Sequence, residues 1–282
     1  MDPPQDYVIR PMERKELDLA LEWAAREGWN PGLHDSDAFY SADPKGHLIG
    51  ILAGVPVGCI SAVAYGSTFG FLGLYIVLPE YRGRGLGVLL WEKALRRLKG
   101  RNVGLDGVLG RQRDYEKHGF RLAHRNLRFR ALGIGRPRPA GLTDLGRGDL
   151  DAALEYDRQL FPADRSQFLE KWLGMPESAA LGYVKGGKLS GYGVVRKCRD
   201  GYKVGPLFAD TPDIAAALFL GLAGHAQGAP VFIDVPEVNA PALNLAARMG
   251  MEQVFATARM YSMYEPDVDT GRIYGVTTLE LG

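Results

Sequence analysis

The chain is poor in several features that would have fixed its class at once. Among 282 residues it has two cysteines, Cys59 and Cys198, far apart and with no second pair. That excludes a disulfide scaffold, and Cys59 sits in an apolar run, so reduced and buried thiols are expected. Charge of one sign is also missing: 34 Lys and Arg stand against 33 Asp and Glu, a net charge of +1. No global field favours nucleic acid or a membrane surface, so any anion site has to be local. The longest basic cluster, Arg96, Arg97, Lys99 and Arg101, reads as a solvated helix end. No apolar run reaches the ~18 residues of a membrane helix. The first ten residues, MDPPQDYVIR, lack the charged and apolar regions of a signal peptide. The expectation is a soluble, cytoplasmic protein with no metal and no nucleic-acid or membrane partner.

What is present suits an ordinary globular chain, 46% apolar and 24% charged, long enough for two domains of about 140 residues each. A short strand at 7–9 precedes an amphipathic helix with Leu17, Ala20, Leu21 and Ala24 at i, i+3, i+4 and i+7. Residues 28–44 mix turn formers, aromatics and acids, which suits a loop holding a short helix. Runs at 47–52 and 55–64 form a hairpin across Ala53-Gly54, and a third strand at 69–77 ends before Pro79. After a glycine-rich turn comes a helix with a stripe of Trp91, Ala94, Leu95 and Leu98. A strand at 103–108, a short helix near 113–118 and a strand through Arg130 follow. Hairpins followed by a β-α-β unit imply an α/β fold with a mixed, mostly antiparallel sheet flanked by helices.

The segment ALGIGRPRPAGL (131–142) is the best linker. It divides the chain into domains at 1–132 and 143–282, with 133–142 between them. The second half repeats the order: a helix at 149–160, a hairpin of 181–184 with 189–196, and a strand at 202–208. A helix opened by Thr211-Pro212-Asp213, a strand at 231–235 and a helix at 239–249 complete it. An internal duplication accounts for this.

The chemistry centres on Arg82, Gly83, Arg84, Gly85, Leu86 and Gly87. Alternating glycines let the backbone approach a ligand, the next helix aims free N–H groups and its positive dipole end there, and two arginines add charge. The place suits a pyrophosphate. No Gly-Lys-Ser/Thr follows, as a nucleotide-triphosphate loop requires, and the turn comes after antiparallel strands, unlike a dinucleotide fingerprint.

The stretch YIVLPEYRGRGLGVLLWEKAL (75–95) resembles the coenzyme A motif of the GNAT acetyltransferase superfamily, Arg/Gln-x-x-Gly-x-Gly/Ala, with Arg82, Gly85 and Gly87 in place. A second family signature, Tyr-x-Lys-x-Gly-Phe, stands as Tyr115-Glu116-Lys117-His118-Gly119-Phe120. The resemblance covers residues 7–130. It implies that acetyl-CoA is co-substrate, that the backbone of Ile76 and Val77 meets the pantetheine arm and thioester, and that Tyr115 stands near the sulfur. A free tyrosine (pKa about 10) is a weaker acid than a thiol (about 8.5), so full proton transfer to a thiolate is uphill by roughly 2 kcal/mol. Tyr115 therefore acts as a hydrogen-bonding acid or has a lowered pKa; packing of a helix on the sheet is its competing role.

Two departures stand out. Many family members carry a glutamate on the central strand, but 69–77 holds no carboxylate, and the family's asparagine seven residues before the tyrosine is Val108 here. His34, Asp35 and Asp37 are candidates for the base, with His34 and Asp35 on the acceptor side; as solvated loop residues and helix caps they are better explained. In the second half, Asn239, Ala242, Leu245, Ala246, Arg248 and Gly250-Met251 follow the same helix signature, with Ala246 opposite Tyr115. The would-be phosphate turn there, 208–213, has no glycine and two carboxylates, so the second domain reads as a degenerate GNAT-like copy that helps wall the acceptor cleft. Tyr261, Tyr264 and Glu265 are groups able to meet an amine. The resemblance implies an N-acetyltransferase acting on a primary amine, that of a small molecule. The alternatives are a non-catalytic acetyl-CoA-binding regulatory module and a protein N-acetyltransferase.

Overall fold

The structure is a computed structural model that describes residues 6–132 and 138–282. Residues 1–5 and the 133–137 part of the expected linker lie outside it. β1 (Tyr7–Pro11) leads into α1 (Arg14–Arg26), opened by a capping box between Glu13 and Glu16 and burying Leu17, Ala20, Leu21, Trp23 and Ala24. α2 (Asp35–Ala42) is the short helix within 28–44. β2 (His47–Leu52), β3 (Val55–Tyr65) and β4 (Phe69–Val77) form an antiparallel meander with β1. α3 (Leu86–Arg97) crosses to β5 (Asn102–Val108), which is parallel to β4, and α4 (Gln112–Lys117) precedes β6 (Arg121–Ala131).

The second half starts with β7 (Leu142–Asp144), α5 (Leu150–Asp157) and α6 (Ser166–Leu173). β8 (Ser178–Lys185), β9 (Lys188–Lys197) and β10 (Tyr202–Ala209) form its meander. α7 (Pro212–Gly224) is capped by Thr211 Oγ1, which accepts from the Ile214 amide at 3.4 Å. β11 (Val231–Pro236), α8 (Ala240–Arg248), β12 (Glu252–Tyr261) and β13 (Ile273–Gly275) complete the chain. Among the described residues no helix is long and apolar enough to cross a membrane.

All the strands belong to one mixed sheet in the order β1-β2-β3-β4-β5-β12-β6-β11-β10-β9-β8-β7, with β13 on β10. The two halves exchange strands. β12 inserts between β5 and β6, with Thr257 facing Val108 on one side and Asn126 on the other; β6 pairs onward with β11. Buried ion pairs span the exchanged edges. Arg259 of β12 binds Asp106 of β5 (Nη2–Oδ2 2.5 Å), and Arg128 of β6 binds Asp234 of β11 (Nε–Oδ1 2.7 Å, Nη2–Oδ2 2.9 Å). A slip by one residue would strand a buried charge at a cost of about 3–5 kcal/mol, so these pairs fix the register.

One irregularity in β4 makes the site. β4 runs parallel to β5 only from Phe69 facing Asn102 to Leu72 facing Leu105. Against β3, Gly73 faces Ser61 and Ile76 faces Cys59, so β4 carries one extra residue, and Leu74 takes a left-handed φ of 46°. This bulge bends β4 away and leaves a wedge between it and β5. β10 repeats the device: its pairing with β11 stops at Val204, and it bulges against β9 between Val204 and Leu207. That second wedge is filled by the chain itself. β13 pairs with β10, the Val276 amide donates to the Asp234 carbonyl at 2.9 Å, and Asn239 Nδ2 donates to the carbonyls of Thr270, Gly271 and Ile273.

Candidate active site

The wedge between β4 and β5 opens into a cleft of about 640 Å³. One wall is the turn that follows β4. Gly83 and Gly85 have φ of 78° and 77°, which glycine adopts without penalty, and Gly85 is the residue before α3. A Cβ at either would meet nothing within 4 Å, so both face open space. Among the described residues, the amides of Gly83, Arg84, Gly85, Leu86 and Gly87 find no acceptor. Unpaired amides at a helix N-terminus form an anion cradle. Gly87 has another function: a Cβ there would lie 2.7 Å from the Tyr75 hydroxyl oxygen, so its absence lets α3 approach the sheet.

Arg82 pins this corner. Its Nε donates to the Val77 carbonyl at 2.7 Å and its Nη2 to Glu27 Oε1 at 2.5 Å, which offsets a carboxylate beside the cradle. Arg84 lies over the Tyr81 ring at 5.4 Å and is not in the wall. Ile76 and Val77 line the floor, beyond the point where β4 pairs with β5.

Tyr115 of α4 also lines the cleft. Its ring lies over Gly107, where a Cβ would come within 2.3 Å of Cε2, and against Trp91, with centroids 5.5 Å apart. Trp91 also packs on Tyr75 and His118, and its buried Nε1 has no partner among the described residues. Burial, followed by the nearby Tyr75, pushes the Tyr115 hydroxyl up to about 12. Burial likewise raises Tyr75. Tyr115 is thus a hydrogen-bond donor that stays protonated across the physiological range. Val108, at the position of the missing asparagine, lines the cleft as an apolar residue.

The acceptor-side residues drawn from the sequence lie elsewhere. Asp35 is buried, binds Arg196 Nε at 2.8 Å and accepts from the Gly32 amide. His34 Nε2 pairs with Glu177 at 3.0 Å on the surface, and Asp37 holds Arg14. A short helix inside an apparent loop, tied to the second half, turns all three away. Tyr261 is buried in the core, Tyr264 is exposed, and Glu265 lies 3.7 Å from His124; none reaches the cleft. Ala246 is buried within the second half.

In their place the structure brings Phe255 and Thr257 of β12, Arg128 of β6, and Leu279 and Glu280 of the C-terminal segment into the cleft wall. The second half therefore forms part of the first half's site. No local pattern in the sequence marks these residues, because the strand exchange and the course of the C-terminal segment place them.

Comparison with known proteins agrees with this architecture. The acetyltransferase (GNAT) family model matches residues 14–120, and an acetyltransferase (GNAT) domain model matches residues 153–275. A holothin acyltransferase of Pseudoalteromonas is 30% identical over 282 residues, covering 99% of this chain and 95% of the relative. An uncharacterised N-acetyltransferase of Bacillus subtilis, YitH, is 24% identical, covering 82% of this chain and 83% of the relative. A solved Pyrococcus horikoshii protein, provisionally described as an acetyltransferase, superposes with a TM-score of 0.83 at 23% identity, covering 100% of this chain and 98% of its own. A tandem GNAT protein of the clavulanic acid biosynthesis pathway superposes with a TM-score of 0.62 at 16% identity, covering 90% and 98%. These two likenesses are of fold.

Proposed function

The chain belongs to the GNAT acetyltransferase superfamily, as a tandem member, and from that premise we propose that it transfers the acetyl group of acetyl-CoA to a primary amine of a small molecule by direct attack in a ternary complex. The observation that carries this reading is one continuous cleft lined both by residues with unpaired backbone amides, Gly83, Gly85, Leu86 and Gly87, and by a protonated tyrosine, Tyr115. The amides of 83–87 would take the pyrophosphate, and the freed edge of β4 at Ile76 and Val77 would take the pantetheine arm. The splayed wedge, the side-chain-free faces of Gly83 and Gly85 and the orphaned Trp91 Nε1 fit such a guest.

Direct attack is favoured over an acyl-enzyme because neither thiol can serve. Cys59 and Cys198 are both buried, outside the cleft, with burial raising both thiols. Tyr115, at about 12, is some 3.5 pK units above a free thiol, so handing over its proton would be uphill by about 5 kcal/mol. Its role is to donate a hydrogen bond to the departing thiolate, which takes its proton from water.

The relative that acts on holothin suggests a small amine-bearing acceptor. The test is thiol release from acetyl-CoA, with holothin and with tyramine as acceptors. Release that requires both acyl donor and acceptor supports the reading. A folded protein that binds acetyl-CoA and releases no thiol with these or with a mixed library of primary amines would instead be a regulatory binding module.

A further inference from the structure

Resting on the acyl-transfer reading above, we propose that Glu280 is the general base of the reaction, a carboxylate carried into the first half's cleft by the second half's C-terminal segment. Four carboxylates line the cleft, and three are engaged. Glu27 is held by Arg82, and Asp114 by Arg111 and Lys117. Asp106 is bound by Arg259 and accepts from Asn126 Nδ2 at 2.8 Å. Glu280 is 5% exposed, and among the described residues its carboxylate has no hydrogen-bond or ion-pair partner.

Its position answers the missing carboxylate on β4. A Cβ built on Gly73 would lie 2.0 Å from the Glu280 carbonyl oxygen, so the segment occupies the volume that a side chain at position 73 would take. Glu280 thus enters beside the central strand at the bulge, where that strand has only glycine to offer. The segment is well anchored: Thr278 Oγ1 accepts from the amides of Glu280 (3.2 Å) and Leu281 (2.9 Å). It reaches this place after filling the second half's own wedge through β13.

The chemistry balances. The amine nitrogen bonds to the thioester carbon and the C–S bond breaks, its electron pair leaving on sulfur. Once bonded to that carbon the nitrogen is far more acidic than a free ammonium, and its proton passes to the Glu280 carboxylate. Tyr115 hydrogen-bonds the thiolate, and water then exchanges protons with both groups.

The competing role is charge balance. Glu280 lies near the buried cations Arg128 of β6, Arg196 of β9 and Lys203 of β10. Asp234 of β11 and Asp35 of α2 pair with the two arginines, whereas among the described residues the Lys203 ammonium donates only to the carbonyls of Asn30 and Trp29.

Three variants separate the two roles, read by thiol release from acetyl-CoA with holothin or tyramine and by calorimetric acetyl-CoA affinity. Glu280→Gln should lower kcat at least 100-fold with affinity changed less than twofold. Glu280→Asp keeps the charge but withdraws the carboxylate by one methylene; a base loses at least tenfold in kcat, a charge balancer stays near the parent. Glu280→Ala should regain at least tenfold of its lost turnover on addition of formate but not of nitrate, which restores the charge without a basic oxygen; a charge balancer would respond to both. Turnover within threefold of the parent in Glu280→Gln overturns the assignment; if that variant fails to fold, near-parental turnover of Glu280→Asp does so. Absence of thiol release from the parent with a mixed library of primary amines as well refutes acyl transfer itself, and the role of Glu280 falls with it.

Discussion

Tyr115→Phe removes one oxygen and leaves the ring wedged between Gly107 and Trp91. What it deletes is the hydrogen bond that the proposed mechanism gives to the departing thiolate. By analogy with the loss of a single oxyanion donor, that should cost about 2.7–4 kcal/mol, or 10²–10³ in kcat. Because the hydroxyl sits at about 12, it is protonated throughout the usual assay range. The ratio of parent to variant turnover should therefore be flat from about pH 6 to pH 9. Acetyl-CoA affinity should change less than twofold, since the hydroxyl is not among the backbone amides proposed to hold the pyrophosphate. Stability should hardly fall, because the hydroxyl has no partner within the described chain. The assay is steady-state thiol release across that pH range, alongside thermal melting. Turnover within threefold of the parent would refute the donor role, and a ratio that changes steeply between pH 7 and 9 would refute the raised pKa.

Two further predictions follow from packing and burial. Gly107→Ala places a methyl 2.3 Å from the Tyr115 ring, which must shift by about 1 Å or more; kcat should drop about 10²-fold with a stability loss of about 1–3 kcal/mol, read by thiol release and chemical denaturation. His47 is fully buried, its Nε2 lies 2.9 Å from the Phe39 carbonyl, and burial lowers it to about 4. The folded pKa is below the unfolded value of about 6.5, so the contribution is complete above pH 6.5 and is lost as pH falls towards 4, by about 3 kcal/mol. Denaturation midpoints at pH 7 and 4.5 should show this loss in the parent and less of it in His47→Gln.

The parts of the site that depend on neighbours in sequence were legible from the sequence. The alternation Gly83, Gly85, Gly87 before an apolar stripe announced a strand-to-helix turn with free amides, and Phe69–Val77 emerged with the bounds expected. The Leu74 bulge was not legible, because a leucine at positive φ carries no marker in the chain and is held there by β3 pairing. Nor was the strand exchange. The alternation in β12 allows a strand, but nothing in it specifies β5 and β6 as its neighbours rather than β11 alone. Glu280 lies more than 200 residues beyond the strand it joins, and its neighbours Leu279 and Leu281 read as ordinary core. His34 and Asp35 drew notice as polar residues in an apparent loop, when Asp35 is in fact an internal counter-ion for Arg196. The degenerate look of the second half came from its missing glycines and added carboxylates; its β13 plug is a tertiary feature that those residues do not encode.

Acyl transfer in the first half depends on where the coenzyme binds, and calorimetric titration of acetyl-CoA into the parent and into Gly85→Asp tests this most directly. Position 85 faces open space, so the new carboxylate meets no protein atom but lies where the pyrophosphate would be held, at a backbone φ of 77° that disfavours any side chain. The parent should bind one acetyl-CoA per chain, because the second wedge is filled by β13. The folded variant should bind at least tenfold more weakly, a change of about 1.4 kcal/mol. Two sites per chain, or unchanged affinity in a folded Gly85→Asp, would contradict it.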